Sequence, residues 1–550
     1  MSLNLIRDRW IPVRAGDGSR ARMRPIDLIP EAGRKPVSWK LNGPRPDFNG
    51  AVIQFLIGLF QSIVAPEDEE EWWRQWEMPE SREYFATRFQ CLEVAFESSG
   101  SPAFLQDLEE LPESGRLPIV ELLLDSPAAN TKRKNKDLFT KRVEDFSVCE
   151  PCAIMAVLTL QLNAPSGGAG HRTSLRGGGP ATTILEGKDL WETIWLNLLP
   201  RSEEDFLVPG SEERELCRAL PWLAPTRTSE GGSGEETRGE VIHRAQCFWA
   251  MPRRIRLDPP VESDGECSIC GVSATLGITS FRSKNYGVNY QGPFAHPLTP
   301  YVWKEERRES ALRAGPGGFG YRDWRGFVVS AEEGLICRRP AAVIDYFLKT
   351  RSERFIGRST DEEIQLWAFG FDVENAKIRG WHETRIPLLL RTEGEGTDFY
   401  DFAGELVLQA ERARKLLLEA LERGLYGSVR EVDSRGRRCW MIDARVDLEK
   451  SLFCQASLQF WRETEEYFYQ ILRAFVGTIQ DDEVRGERKV QWGKYLEERI
   501  LHLFDQLTGR GELRQGEMKS LALARGELKW FLAAMQREGG DSSKGDVVDG

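Results

Sequence analysis

The chain has 550 residues, 41% hydrophobic and 10% aromatic, with a formal net charge of −12. That length and apolar content exclude global disorder and exceed one ordinary domain. The acidic balance excludes a uniformly basic nucleic-acid coat, so nucleic-acid contact would need local basic patches; an ordinary enzyme or a subunit docking on basic partners fits the charge equally.

In chain order, Leu5–Val13 reads as a strand followed by a turn at Gly16–Gly18. The N-terminus lacks an apolar run with a small-residue cleavage site. No segment approaches the ~18 uninterrupted apolar residues of a membrane span. A cytoplasmic chain without membrane contact is therefore expected, its ten cysteines serving as thiols or metal ligands rather than disulfides. Gly50–Ala65 is apolar at helical spacing and stops at Pro66. Glu67–Trp76 reads as a solvated acidic helix anchored by Trp72 and Trp73.

Asn130–Arg142 holds six basic residues and one acid, including Lys132, Arg133, Lys134 and Lys136, with Phe139 among them. A solvated surface loop explains such a run. So does a nucleic-acid arm, since cations meet phosphate and an aromatic stacks on bases.

Two CxxC pairs follow, Cys149/Cys152 and Cys267/Cys270, the second trailed by Gly271. Two such knuckles can complete a tetrahedral S4 zinc site, and four thiolates leave no open position for catalysis. The 114 intervening residues would make the metal a structural staple between distant segments. Free buried thiols are the alternative.

Between the pairs lies Ser166–Gly179, rich in glycine and containing His171, Arg172 and Arg176. The glycine register and the missing lysine argue against a Walker loop. Clustered glycines still let backbone N–H groups approach phosphate or base edges, although composition alone fits a tight structural loop as well. Phe281–Gly287 and Gly370–Trp381 interleave basic, amide and aromatic residues and, by composition, read as surface loops.

From Phe402 to Glu538 apolar residues recur at i, i+3/i+4 in four stretches, about 402–423, 447–475, 490–507 and 514–537, separated by glycine-bearing breaks. This pattern predicts a four-helix bundle. The polar, glycine-rich 539–550 reads as a disordered tail. None of the five histidines lies in a recognisable catalytic motif.

The colinear set of Leu5–Val13, Cys149–Cys152, Ala164–Thr183, Cys267–Gly271 and the C-terminal helices resembles the CasA family, the large subunit of the type I-E CRISPR surveillance complex Cascade. The resemblance implies an α+β chain, with a mixed α/β domain over 1–397, which the CxxC pairs would staple with zinc, and a four-helix bundle over 398–538. It implies a non-catalytic subunit that reads the protospacer-adjacent motif of double-stranded DNA from the minor groove. Partners implied are target DNA, CRISPR RNA, the other Cascade subunits and a recruited helicase-nuclease. The family's glycine loop falls on Gly168, Ala169 and Gly170, with Ala169 replacing a glycine. Its motif-sensing lysine falls on Lys284 or Asn285. Its strand-splitting wedge falls on Glu374, Asn375 and Ala376, with Asn375 where the pattern has glutamine. Its mobile basic loop matches 130–142. A zinc-containing enzyme with a phosphate-binding glycine loop, or a purely protein-binding scaffold, are the competing readings.

Overall fold

The computed structural model describes residues 2–31, 37–127, 129–135, 137, 145–208, 213–230, 236–263, 265–292, 294–304, 309–357, 363–390, 396–432, 438–442, 450–475, 481–509 and 515–541. These residues form two compact units. The first comprises Met1–Gly318, Ser330–Arg351 and Gly357–Leu388; the second comprises Phe319–Val329, Ser352–Ile356 and Leu389–Gly550. Neither is one continuous stretch, unlike the expected cut between 397 and 398.

The first unit is built around the helix Pro46–Ile63. Its proline sits in the first turn, where a missing N–H costs nothing, and Arg45 pairs with Asp47 at 2.9 Å. From Phe48 to Ile63 nearly every side chain is buried. The helix packs on Glu150–Asn163 and Leu190–Leu196. Phe55 lies edge-on to Trp10, Phe104, Trp249 and Phe96 at centroid distances of 5.3, 5.7, 5.8 and 6.0 Å, the arrangement that ring quadrupoles favour.

A three-stranded antiparallel sheet runs Lys377–Pro387, Gln365–Glu374, Thr182–Glu186 across its width. Its middle strand is buried from Leu366 to Asp372, as a strand with neighbours on both edges and cover on both faces must be. A second sheet places Ser280–Lys284 between Arg116–Pro118 and Arg254–Leu257. Thus much of both segments that read as surface loops on composition is strand, because Phe281 and Phe371 are core residues that composition counted as interleaved aromatics. The opening strand begins at Ile11 rather than Leu5. Asn4 wins the preceding residues: its side-chain oxygen accepts from the backbone N–H of Ile6 and Arg7, both at 3.0 Å, and folds them into a turn.

The second unit contains the long helices Gly396–Tyr426, Lys450–Ala474, Asp482–Thr508 and Gln515–Asp541. They pack through Leu406, Leu417, Leu421, Phe460, Phe468, Trp492, Leu496, Leu503, Leu528 and Leu532, all buried. The periodicity located these helices: the first and third run past their predicted ends at both termini, the second lies within its predicted span, and the last starts one residue later and continues through Gly539 and Gly540 to Asp541. Residues 542–550 of the predicted tail lie outside the described residues. A hairpin, Gly427–Val432 with Arg438–Ile442, joins the first two helices and was not expected. Tyr321 stacks on Phe468 at 4.5 Å and its hydroxyl lies 2.7 Å from that of Thr464, which accounts for 319–329 belonging to this unit. No helix among the described residues is long and apolar enough to cross a membrane.

The aromatic cluster sets the first unit's stability. Phe55→Ala removes a ring touching four others and should lower unfolding free energy by about 3–5 kcal/mol, read from the urea midpoint.

Candidate metal centre and nucleic-acid interface

The four CxxC cysteines meet. Their sulfurs all lie within 4.8 Å of one another, and those of Cys149 and Cys270 are 3.7 Å apart. Zinc–sulfur bonds of ~2.3 Å at tetrahedral angles require sulfurs about 3.8 Å apart, so the set fits this ion. Cys149 caps the helix Glu150–Asn163 and Cys152 lies in its first turn, where the helix dipole favours thiolate. The second knuckle turns at Gly271, whose φ of +68° suits glycine, with its N–H donating to the Cys267 carbonyl at 2.9 Å. Val148 and Ile278 exchange backbone hydrogen bonds of 3.0 and 2.8 Å, so the knuckles are clasped independently of any ion.

The sulfurs also compete for protons. A hydrogen bond with Cys152 favours the Cys149 thiolate, but Cys267 and burial outweigh it and push the thiol up to about 12. Cys149, Cys267 and burial raise Cys152, while hydrogen bonds from Cys149 and Cys152 hold Cys267 down. A divalent cation relieves this competition by stabilising all four thiolates.

The glycine loop leaves the C-terminal end of the helix Glu150–Asn163. Its base closes where Ser174 N–H donates to the Ala164 carbonyl at 3.0 Å. Gly168 and Gly170 have φ of +58° and +78°. A Cβ on Gly170 would lie 2.9 Å from Asn285 Cβ and 3.0 Å from the Tyr286 nitrogen. Glycine therefore permits a close approach, which the chain uses twice: Tyr286 N–H donates to the Gly170 carbonyl at 2.8 Å, and the Asn285 amide donates to the Ala169 carbonyl at 2.9 Å. Tyr286 itself takes φ +64°, a costly conformation for a bulky residue. The structure thus joins the glycine loop to the Lys284/Asn285 segment, with Gly168, Ala169 and Asn285 exposed.

Lys284 pairs with Glu113 at 2.9 Å; that hydrogen bond raises the lysine and lowers the carboxylate from their ordinary values. The arginines of the loop are committed to protein groups. Arg172 donates to the Ser229 hydroxyl at 2.7 Å and carbonyl at 3.1 Å. Arg176 is buried against Gln54, Thr182 and Thr299, and burial pushes it down to about 10.

Beyond the loop, Gly179 meets the middle strand of the hairpin sheet: a Cβ there would lie 2.5 Å from Val373 Cγ2 and 2.7 Å from the Phe371 carbonyl. That strand runs on to the exposed tip Glu374–Asn375–Ala376. Asn375 and Ala376 have φ of +48° and +62°, the backbone of a type I′ two-residue turn, which asparagine accepts and alanine resists. Arg379 braces the tip by pairing with Glu374 and Asp372, both at 2.7 Å.

In the basic run, Lys132 pairs with Glu121 at 3.1 Å, and Arg133 and Lys134 are exposed. Lys136 and Phe139 lie outside the described residues.

The family described as CRISPR-associated protein Cse1 matches residues 4–503 of this chain. The chain belongs to the Cse1 family. A curated member, CRISPR-associated protein CasA/Cse1 of Thermus thermophilus, is 28% identical over 267 residues, covering 46% of this chain and 48% of that protein. The aligned stretch thus spans about half the length of that relative. The fold is similar to the crystal structures of Thermus thermophilus CasA (TM-score 0.67, 17% identity, 98% and 100% of the two chains) and Thermobifida fusca Cse1 (0.66, 18%, 99% and 99%). It is also similar to a chain of a CRISPR RNA-guided surveillance complex (0.64, 14%, 96% and 99%). These likenesses bear out the α+β class for this Cse1 family chain.

Sequence reading missed Glu113, Ser229 and Arg253, which contact the candidate residues from distant positions, and it gave Tyr286 of the Phe281–Gly287 segment no role. The pair Arg253–Arg254 was visible as adjacent basic residues, but nothing in the sequence marked where either pointed.

Two measurements test the site. Elemental analysis of the purified chain should find one zinc per chain, lost in Cys267→Ser together with a fall in melting temperature. Ala376→Gly should relieve the left-handed turn and stabilise by about 0.5–1 kcal/mol in thermal unfolding.

Proposed function

We propose that this chain is the non-catalytic large subunit of a type I-E Cascade complex. In this reading it inspects double-stranded DNA for the protospacer-adjacent motif from the minor groove and helps open the duplex for guide RNA. The observation that carries the reading is the direct hydrogen bonding of Ala169 and Gly170 to Asn285 and Tyr286, which gathers an exposed glycine backbone, an amide and the neighbouring Lys284 into one surface. Family membership, and the fold shared with a chain of a CRISPR RNA-guided surveillance complex, support it.

A minor groove ~6 Å wide admits backbone more readily than side chains, and Gly168–Gly170 offers backbone. Lys284 exchanges Glu113 for a DNA acceptor. Asn285, whose amide is held by Ala169, sets the height of the loop. Glu374, Asn375 and Ala376, projecting on a two-residue turn, enter the opened base step as a wedge. Lys132, Arg133 and Lys134, with Lys136 and Phe139, supply sequence-independent backbone attraction and stacking. The four-helix unit helps hold the separated strands, and an exposed face recruits the helicase-nuclease. CRISPR RNA and the remaining subunits complete the assembly, in the cytoplasm. Zinc at Cys149, Cys152, Cys267 and Cys270 is structural.

The committed geometry of Arg172 and Arg176 disfavours a phosphate-binding enzyme, because neither points a cation into the loop.

In Cascade assembled with this chain, Gly168→Asp and Asn375→Ala should each weaken binding to motif-bearing duplex by about tenfold in a gel shift. Duplex lacking the motif should bind equally weakly with or without the changes. Unaltered affinity for motif-bearing duplex in both variants would remove the loop and the tip from the DNA interface.

A further inference from the structure

Arg253 lies beneath the glycine loop and touches both of its limbs. One terminal nitrogen donates to the Pro165 carbonyl at 2.5 Å, where the loop begins; the other contacts His171 Nδ1, immediately after the apex. The residue is itself fixed by a reciprocal pair: its N–H donates to Gln161 Oε1 at 3.0 Å, and Gln161 Nε2 donates to its carbonyl at 2.9 Å. Gln161 belongs to the helix from which the loop departs. One guanidinium therefore spans the neck of the loop from a rigid base. Its partners are neutral acceptors, and no carboxylate pairs with it among the described residues.

We propose that Arg253 and His171 form a positioning clamp that sets the glycine loop for DNA, and that protonation of His171 opens it. The proposal rests on the reading of the loop as a DNA contact. Arginine offers only N–H donors, so His171 Nδ1 must accept and the imidazole must be neutral, with its proton on Nε2. A proton on Nδ1 would set two donors and two cations against each other and release one limb. Burial, and then the Arg253 cation, hold His171 below its ordinary value. Arg172 is turned to Ser229 and Lys284 to Glu113, and among the described residues the charged group that acts on the imidazole is Arg253 itself. The sign follows: the clamp is complete at neutral pH and is lost as pH falls through the depressed histidine value.

The experiment reads amide hydrogen exchange, corrected for intrinsic rate, at Ser174, which closes the loop base, and Tyr286, which holds its apex. In the full chain, exchange should be about tenfold faster at about pH 5 than at about pH 7.5. His171→Asn keeps a side-chain acceptor in the Nδ1 position but does not titrate, and should abolish that difference while retaining the slow rate. Arg253→Lys, which cannot grip two acceptors with one planar fork, should exchange fast at both pH values. A wild-type acid response in His171→Asn, or wild-type protection in Arg253→Lys, overturns the clamp. The same variants assembled into Cascade are then titrated with motif-bearing duplex. Affinity should fall about tenfold in Arg253→Lys and stay at the neutral-pH level in His171→Asn. Loosened amides with unchanged DNA affinity would retain the clamp and refute the DNA reading of the loop.

Discussion

Backbone lies directly on backbone where the glycine loop crosses the middle strand of the hairpin sheet, and no Cβ fits between them. A methyl group on Gly179 would meet the Phe371 carbonyl at 2.7 Å, and one on Gly370 would meet the Pro180 carbonyl at 2.8 Å. This contact fixes two distances at once. Nine residues before Gly179 is the apex at Gly170; three residues after Phe371 is the exposed tip at Glu374. Close packing of this kind transmits position without flexible intermediates, since neither side can slide without a clash. The candidate interface is thus a property of the sheet and of the helix beneath it.

The elements legible in the sequence were those whose signal is periodic and local. Helices such as Pro46–Ile63 and Asp482–Thr508 announce themselves by apolar spacing, and the CxxC pairs by chemistry that has few uses. The strand Gln365–Glu374 was obscured because burial on both faces erases the alternation that marks a half-buried strand, and Ser280–Lys284 because a five-residue strand with one buried side chain, Phe281, shows no alternation to read. The opening segment was misread because a single asparagine side chain diverts the backbone before the strand starts. For the site, the residue positions were legible only through family resemblance; their mutual contacts were not. The spacing of Gly170 and Tyr286, or of Pro165 and Arg253, is set by tertiary packing that leaves no mark along the chain.

An acidic protein here spends many of its arginines internally. Arg254 is buried with Asp107 and reaches Glu109 at 2.8 Å. Arg351 stacks over the Trp72 ring at 3.9 Å while pairing with Glu69 at 2.9 Å. Arg176 makes do with hydroxyls and an amide. A planar guanidinium with five donors can satisfy several acceptors from one position, which an ammonium group cannot, and removing any one of those acceptors strands part of a buried cation. Net charge consequently says little about the local field at the glycine loop.

The sulfur cluster joins residues 152 and 267 across everything that lies between them. Held by a common ion, those residues become the junction of a closed ring, and the glycine loop, Ser229 and Arg253 all belong to that ring. Lys284 and the hairpin tip are outside it. A single break in the chain anywhere within the ring would then leave both pieces attached, so a cut molecule could keep its loop seated on the Asn285 segment. With an ion bound, the two knuckles, one shortly before the loop and one far beyond it along the chain, would make the candidate interface tolerant of scission in a region where an open chain would come apart.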